Sequence, residues 1–270
     1  MRVQAPFGRR RVTVTAARDV GPYRVLEAAD PDGPQPWPGQ FYMLAGAEHW
    51  GGGEDERPFL PRAFSFLDAG EGTLSFMLED VGPGTARLCE LQAGDELWLL
   101  GPLGIGFTAP EPGPPARRAL LAGGGVGVPP LAAWARELAA RGLAAEAVLG
   151  FRDADHAAGA RLLTAAAVSV ATDDGSVGHH GLVTDLLAAA LDDDPRATVY
   201  ACGPPAMLEA VRRMCAARAV PAQLALEAGM ACGFGACYGC VVPVRDGGYV
   251  RLCVDGPVLD ADRIEAVPAH

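Results

Sequence analysis

Four of the seven cysteines lie between positions 232 and 253, at Cys232, Cys237, Cys240 and Cys253. Four residues separate the first pair, two the second, and twelve precede the last. C-x4-C-x2-C…C is a spacing that wraps thiolates around a [2Fe–2S] cluster. Gly233, Gly235 and Gly239 are interleaved with the thiols. A loop folding around inorganic sulfide needs left-handed backbone and inward N–H groups, and glycine supplies both cheaply. The alternatives are a zinc knuckle or four unrelated thiols. Zinc sites usually carry two C-x2-C pairs, and only one is present. The odd total and the clustering argue against a disulfide framework and for a reducing compartment. Cys89 and Cys215 read as small buried hydrophobes.

This segment begins near Glu227, is rich in Gly and Cys, and is 44 residues long. It is too small to hold a core alone, so a cluster would supply its cross-links. Two larger regions precede it. Up to about Thr108 the chain has short β-like runs, such as Val12–Val14, Gln40–Leu44, Thr73–Leu78 and Glu96–Leu100, broken by Gly and Pro. Such a series predicts a small β-barrel or sandwich. Ala109–Pro115 reads as a linker. Apolar runs at Ala119–Ala122, Ala147–Leu149, Ala167–Ala171 and Thr198–Ala201 then alternate with helical patterns at 131–138, 182–191 and 206–217. Strands alternating with helices predict a doubly wound parallel α/β sheet. The expected division is therefore 1–110, 116–226 and 227–270.

The turn Gly123-Gly124-Gly125-Val126-Gly127 separates a strand from a helix that can start at Pro129 or Pro130. A glycine turn at a helix N-terminus is an anion site suited to a pyrophosphate, although it is also an ordinary tight βα turn. Cys202-Gly203-Pro204 ends a later strand and should face the same crevice. Gly124, Gly125, Gly127, Cys202 and Gly203 are the candidate contacts for a nicotinamide nucleotide. The acidic Thr172-Asp173-Asp174-Gly175-Ser176 suits a ribose diol and favours NAD(H), while Arg152 argues mildly for NADP(H). In the first region, Arg62-Ala63-Phe64-Ser65 closes a β-run, and Gly84-Thr85 follows one hairpin later at the start of a short helix. These residues suit a diphosphate or simple turns equally. His179-His180 reads as a loop.

Composition serves mainly to exclude. The net charge of −11 gives no basic surface for a nucleic-acid backbone or an anionic membrane. Lys is absent, so Arg carries every basic role and its presence says little. No signal peptide or membrane span is recognisable, and a soluble cytoplasmic protein is expected.

The order of these parts resembles the ferredoxin–NADP reductase superfamily: a barrel with R-x-F-S and G-x-G-T, then G-G-G-x-G-x-x-P and C-G-P. The stretch Met230–Cys240, followed by Cys253-Val-Asp-Gly-Pro257, is similar to the electron-transfer subunits of class B dihydroorotate dehydrogenases. So are Gly101–Gly104, Gly150–Asp153 and Thr172–Ser176. The resemblance covers essentially the whole chain. It implies a ferredoxin-reductase-like barrel holding FAD through Arg62, Ala63, Phe64 and Ser65. Backbone contact to the isoalloxazine would come from Met77, Leu78 and Glu79, and the diphosphate would be capped by Gly84 and Thr85. It further implies NAD(H), a [2Fe–2S] cluster on the four cysteines, and an FMN-containing dihydroorotate dehydrogenase catalytic subunit as partner. Hydride exchange between NAD(H) and FAD would be followed by single-electron transfer through the cluster, with no catalytic acid or base of the chain's own. The chain departs from the family pattern in three places: Glu79-Asp80 is acidic where aromatic or basic residues are more frequent, Ala63 replaces Pro, and Ala228-Gly229 replaces a more polar pair. The fourth cysteine is also closer in sequence than in plant-type ferredoxins. The residues alone leave open a related reductase serving ferredoxin, sulfur compounds or a hydrogenase. They also leave open a nucleotide- or metal-binding regulator.

Overall fold

The computed structural model describes residues 8–51, 58–110 and 118–268. Most of the expected linker lies outside them. Six strands form a closed antiparallel barrel: β1 (Arg10–Val20), β2 (Tyr23–Ala29), β3 (Phe41–Gly46), β4 (Arg62–Gly70), β5 (Thr73–Glu79) and β6 (Glu96–Leu103). Their order around it is β1-β2-β5-β4-β3-β6. Period-two alternation drives β5, whose Leu74, Phe76 and Leu78 enter the barrel core beside Leu26, Tyr42 and Leu99. Closure leaves no unpaired edge. Arg62–Ser65 opens β4 where the sequence pattern had it closing a run. Strand β3 explains this, because Leu44 pairs with Arg62 and Phe41 with Ser65, which makes these residues the beginning of β4. Helix α1 (Pro83–Cys89) follows β5.

The second region contributes β7 (Arg118–Gly124), α2 (Val128–Ala140), β8 (Ala145–Phe151), β9 (Ala167–Thr172), β10 (His179–His180), α3 (Val183–Asp193), β11 (Ala197–Cys202), α4 (Pro205–Ala217) and β12 (Ala222–Ala225). The cysteine segment adds β13 (Val241–Pro243), β14 (Tyr249–Arg251), α5 (Leu252–Asp255) and β15 (Val258–Asp260). The large sheet runs β10-β9-β8-β7-β11-β12-β15, parallel except for β15. Its central strands are apolar on both faces because helices cover both. The sheet has seven strands where periodicity suggested four. The additional β10, β12 and β15 span two, four and three residues, too short to show a period. His179-His180, expected as a loop, pairs with β9 as β10.

Packing crosses the compositional boundaries. Tyr23, Leu67 and Met77 of the barrel share one core with Leu121, Leu131 and Trp134 of the sheet domain. Arg136 of α2 reaches back to the barrel, donating to the Leu67 carbonyl and pairing with Asp68 at 3.2 Å. The cysteine segment does not stand apart. Cys240, Val242, Leu252 and Cys253 belong to the same core as Leu120, Val199 and Leu224. Strand β15 ties its end to the sheet, with Leu259 opposite Leu224. Leu259 is buried in that core. Leu259→Ala is therefore expected to cost about 2–5 kcal/mol. Chemical denaturation should show a lowered midpoint, with cluster absorbance lost in the same transition as the far-ultraviolet signal.

Candidate functional site

Strand order reverses beside β7, which has β8 on one side and β11 on the other. Ligands of open α/β sheets bind outside the strand C-termini at such a switch point. Here Gly123 is the register partner of Cys202, so the two glycine loops lie side by side. Their contact is too close for side chains. A Cβ on Gly127 would fall 2.1 Å from the Cys202 carbonyl oxygen, and one on Gly203 would fall 3.0 Å from the Gly124 nitrogen. Gly124, Gly125 and Gly203 line a cleft of about 500 Å³, with Gly150, Arg152 and Asp173 from neighbouring strand ends and Thr184 from the start of α3. Gly127 is buried behind it. The starts of α3 and α4 reach the cleft through Val183, Thr184, Ala206 and Met207. At α4 no cap side chain bonds to the helix end, and the Ala206 and Met207 N–H groups suit a pyrophosphate. Helix α2 begins Val128-Pro129-Pro130, where the Val128 N–H donates to the Gly125 carbonyl and the prolines have none to give.

Of the two acidic residues expected to meet a ribose, Asp173 lines the cleft. Asp174 is engaged within its own turn, accepting from the Ser176 hydroxyl at 2.6 Å and from the Ser176 N–H at 3.0 Å. These bonds hold its carboxyl below the usual range. Arg152 donates to Glu79 of the barrel.

A second cavity, of about 580 Å³, opens at one end of the barrel. Arg62, Ala63, Phe64 and Ser65 of β4, Met77 of β5 and Thr85 of α1 line one wall; Cys202 and residues 226–231 line the other. Gly84 leaves room for the Arg62 guanidinium, since a Cβ there would lie 2.4 Å from Arg62 Nε. Strand alternation divides the three β5 residues. Met77 faces this cavity, Glu79 faces the cleft, and the Leu78 side chain is buried in the barrel core, leaving only its backbone for a ligand. The cation at Arg62 and the uncapped start of α1 suit phosphates. Phe41, Met77 and Met230 offer apolar surface to a planar ring. Burial pushes the Cys202 thiol far up, so it stays neutral.

Val126 and Glu227 line both cavities, which therefore adjoin. Neither residue stood out in the sequence, nor did Tyr23 or His156, which line the cleft from β2 and from the turn after β8. Tyr23 carried no motif to mark it. Its hydroxyl is buried without a hydrogen-bond partner among the described residues.

The wall at 228–231 runs directly into Cys232. The four cysteines gather as two pairs. Cys240 Sγ lies 3.2 Å from Cys253 Sγ, and the Cys237 and Cys232 side chains are hydrogen-bonded. Burial works against ionisation of Cys232. The N–H groups of Cys237, Phe234 and Ala236 directed at its sulfur nonetheless bring its thiol down to about 7. Cys253 is pushed up to about 12 by burial and by Cys240 beside it, with the Gly235 N–H opposing. Two thiol pairs under a loop of inward N–H groups fit a binuclear cluster. Among the described residues, no three His, Cys, Asp or Glu side chains gather as a mononuclear metal would need. Glycine is required in this loop: a Cβ on Gly235 would meet Val254 Cγ2 at 2.7 Å, and its φ is +87°.

Residues 227–265 match the iron–sulfur cluster binding domain of dihydroorotate dehydrogenase B. The chain is 39% identical over 268 residues to the dihydroorotate dehydrogenase B (NAD(+)) electron transfer subunit of Geobacillus thermodenitrificans, covering 96% of this chain and 99% of that one. It belongs to the family of dihydroorotate dehydrogenase B electron transfer subunits. The Bacillus caldolyticus member is 38% identical over 277 residues, covering 96% of this chain and 99% of its own. The NADH-dependent reduced ferredoxin–NADP oxidoreductase shares the fold, with a TM-score of 0.78 and 24% identity over 94% of this chain and 90% of its own. The barrel, parallel sheet and cysteine segment are thus a ferredoxin-reductase architecture with an iron–sulfur module. No helix among the described residues is long and apolar enough to cross a membrane.

Proposed function

We propose that this chain relays electrons between the FMN of a dihydroorotate-oxidising catalytic subunit and NAD⁺, in the cytoplasm, for pyrimidine synthesis. The observation that carries this reading is the continuity of the sites. The dinucleotide cleft adjoins the barrel cavity at Val126 and Glu227, and the far wall of that cavity leads through residues 228–231 to Cys232. The parts divide the work: 1–110 for FAD, 116–226 for NAD(H), 227–270 for the cluster. When bound, FAD and the [2Fe–2S] cluster supply the conversion between a two-electron hydride and single electrons.

The chain's own residues bind and orient. Arg62, the start of α1 and Thr85 hold the flavin diphosphate; Ala63, Phe64, Ser65 and the Met77–Glu79 backbone follow the ring. Gly124, Gly125 and Gly203 admit the dinucleotide backbone, with Gly127 and Cys202 packing the turn behind them, and Asp173 favours a ribose diol over a 2′-phosphate. Cys232, Cys237, Cys240 and Cys253 ligate the cluster. Cys237 is exposed, and the next residue, Tyr238, shares a surface hollow with Tyr249; these two side chains are 62% and 74% exposed. Exposed aromatic side chains beside a redox centre suit a partner surface.

Reconstitution tests the reading. Mixing the holoprotein with a dihydroorotate-oxidising FMN subunit should produce NAD⁺ reduction by dihydroorotate, and failure of every such mixture would sink the proposal. Replacing both Tyr238 and Tyr249 by alanine should weaken the complex by about tenfold or more, as truncated interface aromatics do. Flavin reduction by NADH in the isolated chain should continue at its normal rate.

A further inference from the structure

The dinucleotide cleft is acidic. Glu79, Asp173 and Glu227 line it, and Arg152 is the one arginine among the described residues that does so. A dinucleotide brings two negative charges into that setting on its pyrophosphate. The helix starts offer partial positive charge, but only Arg152 offers a full one. Its guanidinium is committed across the domain boundary, where Nη2 donates to Glu79 Oε1 of β5. The two ends of this bond differ in freedom: the Arg152 side chain is 60% exposed and that of Glu79 only 16%. The arginine can swing while the carboxylate stays. Glu79 has a second partner, because His156 Nε2 lies 3.4 Å from the same Oε1. His156 is itself held from behind, its Nδ1 lying 2.6 Å from Asp153 Oδ1.

We propose that Arg152 binds a phosphate of the dinucleotide by leaving Glu79, and that His156 retains Glu79 when it does. Moving a guanidinium from one anion to another exchanges like for like. The cost of such a move falls on the carboxylate left behind, which loses a charge-assisted bond in a largely buried place. His156 already stands at that oxygen; with its Nδ1–H given to Asp153, it donates to Glu79 from Nε2 as the imidazolium, and in that form the exchange leaves no buried charge unpaired. Glu79 thereby competes with the dinucleotide for Arg152. Filling the cleft is linked to β5, the strand whose Met77 faces the flavin cavity.

The inference rests on the reading of this cleft as the dinucleotide site. A redox-inert probe separates the two. ADP-ribose carries the pyrophosphate and ribose but no nicotinamide. Titrated into the FAD-loaded holoprotein by calorimetry, it should bind the unmodified chain; absence of binding there would remove the dinucleotide reading itself. Arg152→Ala should weaken binding by about tenfold or more, the usual effect of losing a charge-assisted contact. Glu79→Gln should tighten it by about three- to tenfold, by releasing Arg152. In the Arg152→Ala background, Glu79→Gln should have no effect. Repeating the series with 2′-phospho-ADP-ribose assigns the phosphate: equal changes point to the pyrophosphate, and a selective change to the 2′-phosphate. Unchanged affinity in Arg152→Ala overturns the proposal. So does an effect of Glu79→Gln that persists without Arg152, since that would be a general charge effect. If Glu79→Gln loses FAD, His156→Gln provides an independent arm. It should weaken ADP-ribose binding several-fold, and unchanged affinity would overturn the hand-over.

Discussion

Cys237→Ser should abolish the coupling of dihydroorotate oxidation to NAD⁺ reduction, with turnover of the reconstituted complex falling at least about a hundredfold. Cys237 is the exposed member of the four and is hydrogen-bonded to Cys232. A serine oxygen is a harder and less readily ionised donor than a thiolate, so the cluster is lost or its potential is moved. Neither of the two cavities proposed for FAD and the dinucleotide is lined by this residue. Rapid-mixing reduction of the flavin by NADH should therefore proceed in the variant, while the visible absorbance of the cluster is diminished. Retention of NAD⁺-coupled turnover in a variant lacking cluster absorbance would show that electrons reach the partner by another route.

Gly127→Ala should have the opposite pattern. Its Cβ would lie 2.1 Å from the carbonyl oxygen of Cys202, and both atoms belong to backbone segments that cannot rotate away. The βα turn and the end of β11 must separate, at a cost of about 1–3 kcal/mol in strain. That displacement disturbs the junction of the two cavities, where Cys202 and Val126 both lie. A displacement of about 1 Å at a reacting centre costs on the order of a hundredfold in rate. The expected result is a loss of NADH-driven flavin reduction of that size, with flavin content and cluster absorbance retained. A near-normal rate in Gly127→Ala would mean that the turn does not position the dinucleotide.

Much of the site was legible because its chemistry depends on residues close together in the chain. The four cysteines sit within one loop and one short helix, and the glycine turns announce themselves by composition. The β-barrel and the parallel sheet followed from period-two and period-3.6 patterns, which are local. Misreadings arose where the deciding partner is remote. Arg62–Ser65 became the start of β4 because β3 pairs with it. His179-His180 became a strand because β9 pairs with it. Tyr23, His156 and Glu227 reach the cavities from three separate places with no local pattern to mark them, and Val126, though inside the glycine turn, gave no sign that it would join the two cavities.

The same distinction separates the two sources of information about the protein as a whole. By itself the amino-acid sequence determined the kind of chemistry: four thiols at cluster spacing and two glycine loops at strand ends. It could do so because ligand type and short-range spacing are properties of the chain before it folds. Only the tertiary structure decided how the sites connect. The sharing of Val126 and Glu227 by two cavities, and the Glu79–Arg152 contact between barrel and sheet domain, are long-range juxtapositions. So is the packing of Cys240 and Cys253 into the core of the parallel sheet. Such contacts are set by how the layers pack, and packing depends on residues far apart in sequence.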